Sequence, residues 1–211
     1  MIMKEYKTVN TYGEARLTEK RSEFIGYTKQ VENEQEALEF INSIRKKHSD
    51  ATHNVFAYVT RYNNTQRYSD DGEPQGTAGI PVLDVIRKRG LTDTVIVVTR
   101  YFGGILLGGG GLVRAYGASA SAAVEAAGIC EYGIYSLFEV VCDYSDYQKL
   151  QYDIYNNGIK IIGSEFAESV KLTLECPDNE YSNTVVRFTE LTQGRCKAVL
   201  LDTIYDKKQL A

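Results

Sequence analysis

The chain has 211 residues, of which 43% are hydrophobic and 25% charged, and its 24 basic and 28 acidic side chains give a formal net charge of −4. This is the balance of a globular protein with enough chain for one large or two small cores. It excludes a strongly basic nucleic-acid-binding protein and a disordered or low-complexity one. Apolar runs such as Val95–Val98 are too short to span a bilayer, and Met1–Tyr6 reaches a charge at once, so neither membrane association nor a leader is expected and the location is read as cytoplasmic.

Strands are expected at Tyr6–Val9 and Glu23–Val31, from their aromatic and β-branched content. A helix follows over Glu34–Lys47, with Ala37, Leu38, Ile41 and Ile44 on one face, acids early and Arg45–Lys47 late. Asn54–Tyr62 reads as a strand. Ser69–Pro74 reads as a turn, and Ala78–Lys88 as a helix closed by Gly90. Thr94–Thr99 is apolar at every central position, which predicts a strand covered on both faces. Arg100-Tyr101-Phe102 and a glycine-rich run over Gly103–Gly111 lead into a helix at Leu112–Ala127, stopped by Gly128.

The remainder reads as strand Leu137–Cys142, helix Ser145–Asn156, strands Ile159–Phe166 and Ser169–Glu175, helix Asn179–Leu191 and strand Lys197–Ile204. That order, βαββαβ, is ferredoxin-like. The boundary is placed near residue 135, dividing the chain into domains 1–134 and 135–211. The first has 16 basic against 16 acidic residues and the second 8 against 12, so the second carries the whole net charge.

Three kinds of segment invite a chemical reading. In the first, glycines before a helix leave backbone N–H groups open, and a helix N-terminus adds partial positive charge, a combination that suits phosphate. Arg100 and Arg114 stand on either side as candidate bidentate partners. No Lys-Ser/Thr follows the last glycine, so this is not a Walker loop, and a purely structural role in close helix–sheet packing competes. In the second, Asp70, Asp71 and Glu73 lie within four residues and offer either oxygen ligands for Mg²⁺ or caps for local backbone N–H groups; capping is favoured. In the third, His48 and His53 lack a nucleophile beside them and read as structural or surface residues. Tyr58, Tyr62, Tyr68, Tyr101 and Tyr116 gather near the arginines, mostly as strand residues. Cys130, Cys142, Cys176 and Cys196 are scattered with no CxxC pair and read as buried thiols, so no metal site is expected.

The residues Asp70-Asp71-Gly72-Glu73-Pro74-x-Gly76-Thr77-Ala78-Gly79-x-Pro81 resemble one hallmark of the IMPACT family, including its bacterial YigZ-like members. Val97-Val98-Thr99-Arg100-Tyr101-Phe102-Gly103-Gly104-x-x-Leu107-Gly108-x-Gly110-Gly111-Leu112-Val113-Arg114-Ala115-Tyr116 resembles the other. The resemblance implies an α+β protein whose first domain is like the second domain of ribosomal protein S5. Its second domain would be ferredoxin-like and similar to domain V of elongation factor G. It also implies a role in translation, since eukaryotic members are translational regulators acting through a protein partner.

The expectation is therefore a non-enzymatic regulator of translation that binds RNA, the ribosome or a translation-linked protein. Arg100, Gly103, Gly104, Gly108, Gly110, Gly111 and Arg114 would contact phosphate. Asp70, Asp71, Glu73, Tyr101 and Phe102 would form a rim or meet a partner. No cofactor and no sequence-specific DNA contact are expected. The alternative is an enzyme acting on a phosphorylated small molecule or nucleotide, with Mg²⁺ at the acidic turn; a purely protein-recognising scaffold is a third reading.

Overall fold

A computed structural model describes residues 5–210; Met1–Lys4, on which the reading of a missing leader rests, Ala211 and the side chains of Tyr62, Gln209 and Leu210 lie outside the described residues. The chain forms two compact units, one built on Tyr6–Glu131 and the other on Tyr132–Lys207. The first contains β1 (Tyr6–Val9), β2 (Gly13–Glu19), β3 (Ser22–Gln30), α1 (Glu34–Lys47), β4 (His53–Thr60), β5 (Thr65–Ser69), α2 (Gly79–Lys88), β6 (Thr94–Tyr101) and α3 (Gly109–Ala127). β7 (Ile129–Cys142) runs through the point where the units divide, and the boundary expected near residue 135 falls inside it. The second unit continues with α4 (Tyr144–Asn156), β8 (Lys160–Phe166), β9 (Val170–Pro177), α5 (Asp178–Leu191) and β10 (Lys197–Leu210).

In the first unit the strands pair antiparallel in the order β2-β3-β6-β4-β5. Central β6 explains its own composition. Val95 and Val97 pack with Ile41, Ile44 and Tyr27 on the α1 side, whereas Ile96 and Val98 pack with α2 and α3 residues such as Val82, Ile86, Tyr116 and Ala120. Each face is covered, as the uninterrupted apolar run requires. α1 starts on Asn33, whose side chain accepts the Glu36 N–H at 3.0 Å, while Glu36 reaches back to the Glu32 N–H; the arrangement fixes the helix start in the manner of a capping box.

α3 lies closely against β2 and β3. A Cβ on Gly13 would sit 2.3 Å from the Ala123 carbonyl oxygen, and one on Gly26 would sit 2.4 Å from that of Ser119. Glycine in the strands and Ala or Ser on the helix make that approach possible. β2 and β5 were not anticipated from the sequence. β2 reads Gly-Glu-Ala-Arg-Leu-Thr-Glu and β5 Thr-Gln-Arg-Tyr-Ser; their pairing supplies the order that their composition does not.

The second unit has sheet order β10-β7-β9-β8 with α4 and α5 between its strands in sequence, which is the ferredoxin-like arrangement; with the antiparallel first sheet, the protein is α+β. Phe138, Val140, Leu172 and Leu174 pack against Leu150, Ile154 and Phe188 of the helices. Beside this core, buried Asp146 accepts from Arg195 at 2.8 and 2.7 Å and from Lys149 at 3.2 Å, and these hydrogen bonds hold its carboxyl down at about 2. All four cysteines are buried free thiols. Among the described residues no helix is long and apolar enough to cross a membrane.

Candidate functional site

The acidic turn between β5 and α2 is used up internally. Asp70 accepts the N–H groups of Gly76 (2.9 Å), Ala78 (3.1 Å) and Gly79 (2.8 Å), and so closes the N-terminus of α2. Asp71, held at a left-handed φ of 47°, accepts the Asn54 N–H at 2.6 Å and pairs with Arg45 at 2.7 Å. Glu73 is buried, and its Oε1 accepts Nη1 of Arg100 at 2.6 Å and the Tyr116 hydroxyl at 2.7 Å. Burial, then the bond to Glu73, raises the Tyr116 pKa, so the phenol keeps its proton and remains a donor. The His53 ring donates from Nδ1 to the Asp71 carbonyl (2.7 Å) and turns Nε2 toward Glu73 at 3.7 Å.

These contacts agree with the favoured capping reading and correct one expectation. The turn is not laid out for Mg²⁺: each carboxylate already receives donors from a different part of the fold, and no group of three metal-ligating side chains converges among the described residues. Nor do Asp70, Asp71 and Glu73 present a rim, because their carboxylates are turned inward to backbone N–H groups and arginines.

The arginine pair also separates. The Arg100 side chain is only 6% exposed, its guanidinium committed to Glu73 and, at 3.3 Å, to the Ser22 hydroxyl, with Phe24 and Phe102 on either side. Its Nε–H is buried without an acceptor. Arg100 is therefore part of the interior and not a surface phosphate contact: a buried carboxylate needs a partner, and Glu73 takes it. Arg114, by contrast, is exposed and makes no hydrogen bond or ion pair with a described residue. Tyr101 is likewise structural. Its hydroxyl donates to Asp50 at 3.0 Å and accepts from Nδ1 of His48 at 2.9 Å, while Nε2 of His48 accepts from Tyr27 at 2.6 Å.

The glycine segment divides as well. Gly103 is required by packing: a Cβ there would lie 2.0 Å from the Arg21 backbone, and its N–H donates to Ser22 at 3.2 Å. Gly108, at φ 72°, is the N-cap of α3, which starts at Gly109, three residues earlier than the apolar pattern indicates. No described residue accepts the N–H groups of Gly109, Gly110 or Gly111, no side chain caps the helix, and its first turn holds no acid. Gly109 and Gly110 have ordinary negative φ, and a Cβ on either would meet nothing closer than 3.7 Å. Packing thus leaves both free to be alanine, the better helix former. Above Gly110 lies the Arg114 guanidinium, its Nη1 3.7 Å from that Cβ position. A cation at the positive end of a helix, with no acid in the helix's first turn, is the reverse of what the macrodipole favours.

Next to this helix start is an open cleft of about 370 Å³. Pro74, Phe102, Leu106 and Leu112 supply apolar walls, and Phe102 and Leu106 are 46% and 82% exposed. His53, Glu73 and Arg100 reach the same cleft from the buried cluster. Sequence reasoning did not join these residues. The spacing from Glu73 to Arg100 and Tyr116 carries no signal; β4, paired with β5 on one side and β6 on the other, brings the two hallmark segments together.

An antiparallel sheet with α3 opening on a glycine loop, followed by a ferredoxin-like unit, defines the class, and comparison with known proteins agrees. Residues 20–124 match the Impact N-terminal domain, and residues 140–195 match a domain of unknown function, DUF1949. The chain is 40% identical over 195 residues to IMPACT family member YvyE of Bacillus subtilis (strain 168), covering 92% of this chain and 90% of that protein. It is 30% identical over 186 residues to IMPACT family member YigZ of Escherichia coli (strain K12), covering 87% and 91%. A solved structure described as a hypothetical protein superposes with a TM-score of 0.59 at 27% identity, over 95% of this chain and 99% of the other. The chain belongs to the IMPACT family.

Proposed function

We propose that this protein is a non-enzymatic binding protein of translational control that takes a phosphate of RNA at the N-terminus of α3. The observation that carries the reading is the inverted electrostatics of that helix start: three N–H groups without acceptors among the described residues, no acid in the first turn, and Arg114 above them without a described partner. An anion relieves all three at once, satisfying the donors, complementing the dipole and pairing the guanidinium. Gly104 and Gly108 shape the loop, and exposed Phe102 and Leu106 stand beside it for stacking or apolar contact. The family points the same way through its eukaryotic translational regulators.

The test is co-sedimentation of the tagged protein with ribosomes in a lysate, at low and high salt. Binding that falls steeply with salt, and that Arg114→Glu or Gly110→Asp removes without unfolding the protein, supports the reading. Binding insensitive to both variants sinks it. Association that survives nuclease treatment assigns the surface to a protein partner instead.

A further inference from the structure

Within the cleft, the Glu73 carboxylate is compensated by Arg100 and Tyr116, and His53 Nε2 is turned to the same oxygen. What stays uncompensated is a set of donors: the Nε–H of Arg100, 94% of whose side chain is buried, and the first amides of α3 at Gly109. Both residues line the cleft. The unpaired Nε–H leaves the Arg100 charge incompletely compensated beneath the cleft, which favours an anion above it. Opposite these donors stand Pro74, Phe102, Leu106 and Leu112, whose surfaces reward an apolar group. A volume of about 370 Å³ lies at the small end of ligand-sized sites.

We infer that this cleft is a binding site for a small organic anion, a compact apolar group bearing one phosphate or carboxylate. The anionic oxygens meet the α3 amides, with the buried Arg100 charge beneath them, and the apolar body lies on Phe102, Leu106 and Leu112. The inference shares with the function proposed above the reading that the α3 start seeks an anion, but it requires neither RNA nor Arg114, which opens toward a different recess beside Leu17, Glu19 and Phe24. A ligand held here occupies Gly109 and so competes with an RNA phosphate at the same helix start.

The experiment uses the full chain and amide and methyl NMR titrations with phenyl phosphate, phenylacetate, inorganic phosphate and benzyl alcohol. Phenyl phosphate or phenylacetate is expected to shift the Gly109 amide and the Leu106 and Leu112 methyls together. The better of the two should bind at least tenfold tighter than inorganic phosphate and than benzyl alcohol, and which one wins assigns the head group. The double variant Phe102→Ala/Leu106→Ala, altering two exposed side chains, should lose that tenfold advantage while keeping its binding of inorganic phosphate. The inference is overturned if inorganic phosphate binds as tightly as both aryl anions, if the shifts map away from the cleft, or if the double variant binds as the parent does. Loss of ribosome co-sedimentation in Arg114→Ala with failure of every aryl anion would keep the RNA reading and remove this one; the opposite pattern would do the reverse.

Discussion

α2 and α3 begin within one unit, each inside one of the two hallmark segments, and they end their backbone chains of donors in opposite ways. At α2 a single carboxylate, Asp70, reaches forward to accept three N–H groups, including the first of the helix. At α3 the equivalent groups meet no acceptor among the described residues, and a cation hangs over them. A helix start that the chain closes for itself is architecture. One that is left open, where closing it would take a single aspartate, is available to something else.

Several substitutions put that contrast under strain. The largest effect belongs to the closed side: Glu73→Ala strands Arg100 in the interior and is expected to destabilise the protein by about 3–5 kcal/mol, read from denaturant midpoints. A loss below about 1 kcal/mol would show that the buried pair is not what holds the turn. Asp70→Ala should follow with about 1–3 kcal/mol, since three amides lose their acceptor together.

On the open side the sign changes. Gly109→Ala is expected to stabilise α3 by about 0.5–1 kcal/mol while weakening ribosome association, because no packing or backbone constraint asks for glycine there. If it stabilises and binds fully, the glycine serves neither purpose. Arg114→Ala should leave stability within about 0.5 kcal/mol and lower only binding. The smallest effect is one of pH. Burial holds the His48 pKa below its ordinary 6.5, so the folded state binds fewer protons than the unfolded one. Its contribution is complete above pH 6.5 and declines as the pH falls below that. An NMR titration of the ring should show a midpoint under 6.5; one at or above it would contradict the neutral ring bridging Tyr27 and Tyr101.

Much of this architecture could be read before any coordinates. α1 carries its own signature of an apolar face, early acids and late bases, and its expected span Glu34–Lys47 is the span found. The two-sided burial of β6 follows from Val95–Val98 alone, and capping by the acidic turn was the favoured reading of Asp70. What escaped depends on pairing over distance. β2 and β5 are polar and edge-facing, so only their partners reveal them. The burial of Arg100 could not be separated from a surface role, because an arginine between an apolar strand and a glycine loop looks the same in text whether Glu73 or a phosphate takes it. The apolar stripe of α3 begins at Leu112 and marks no earlier start, whereas the helix, seated by Leu112, Ala115 and Tyr116, begins at Gly109.

The tight seat of α3 on β2 and β3 has a further meaning for whatever meets its N-terminus. With the helix backbone pressed against Gly13 and Gly26, neither sliding nor rolling of α3 is open to it without lifting two strands. The amides at its tip are therefore aimed before any visitor arrives, much as a fixed socket precedes its plug. Little ordering is left to be done on contact, so association should be fast and should leave the free and bound shapes of this unit nearly superimposable.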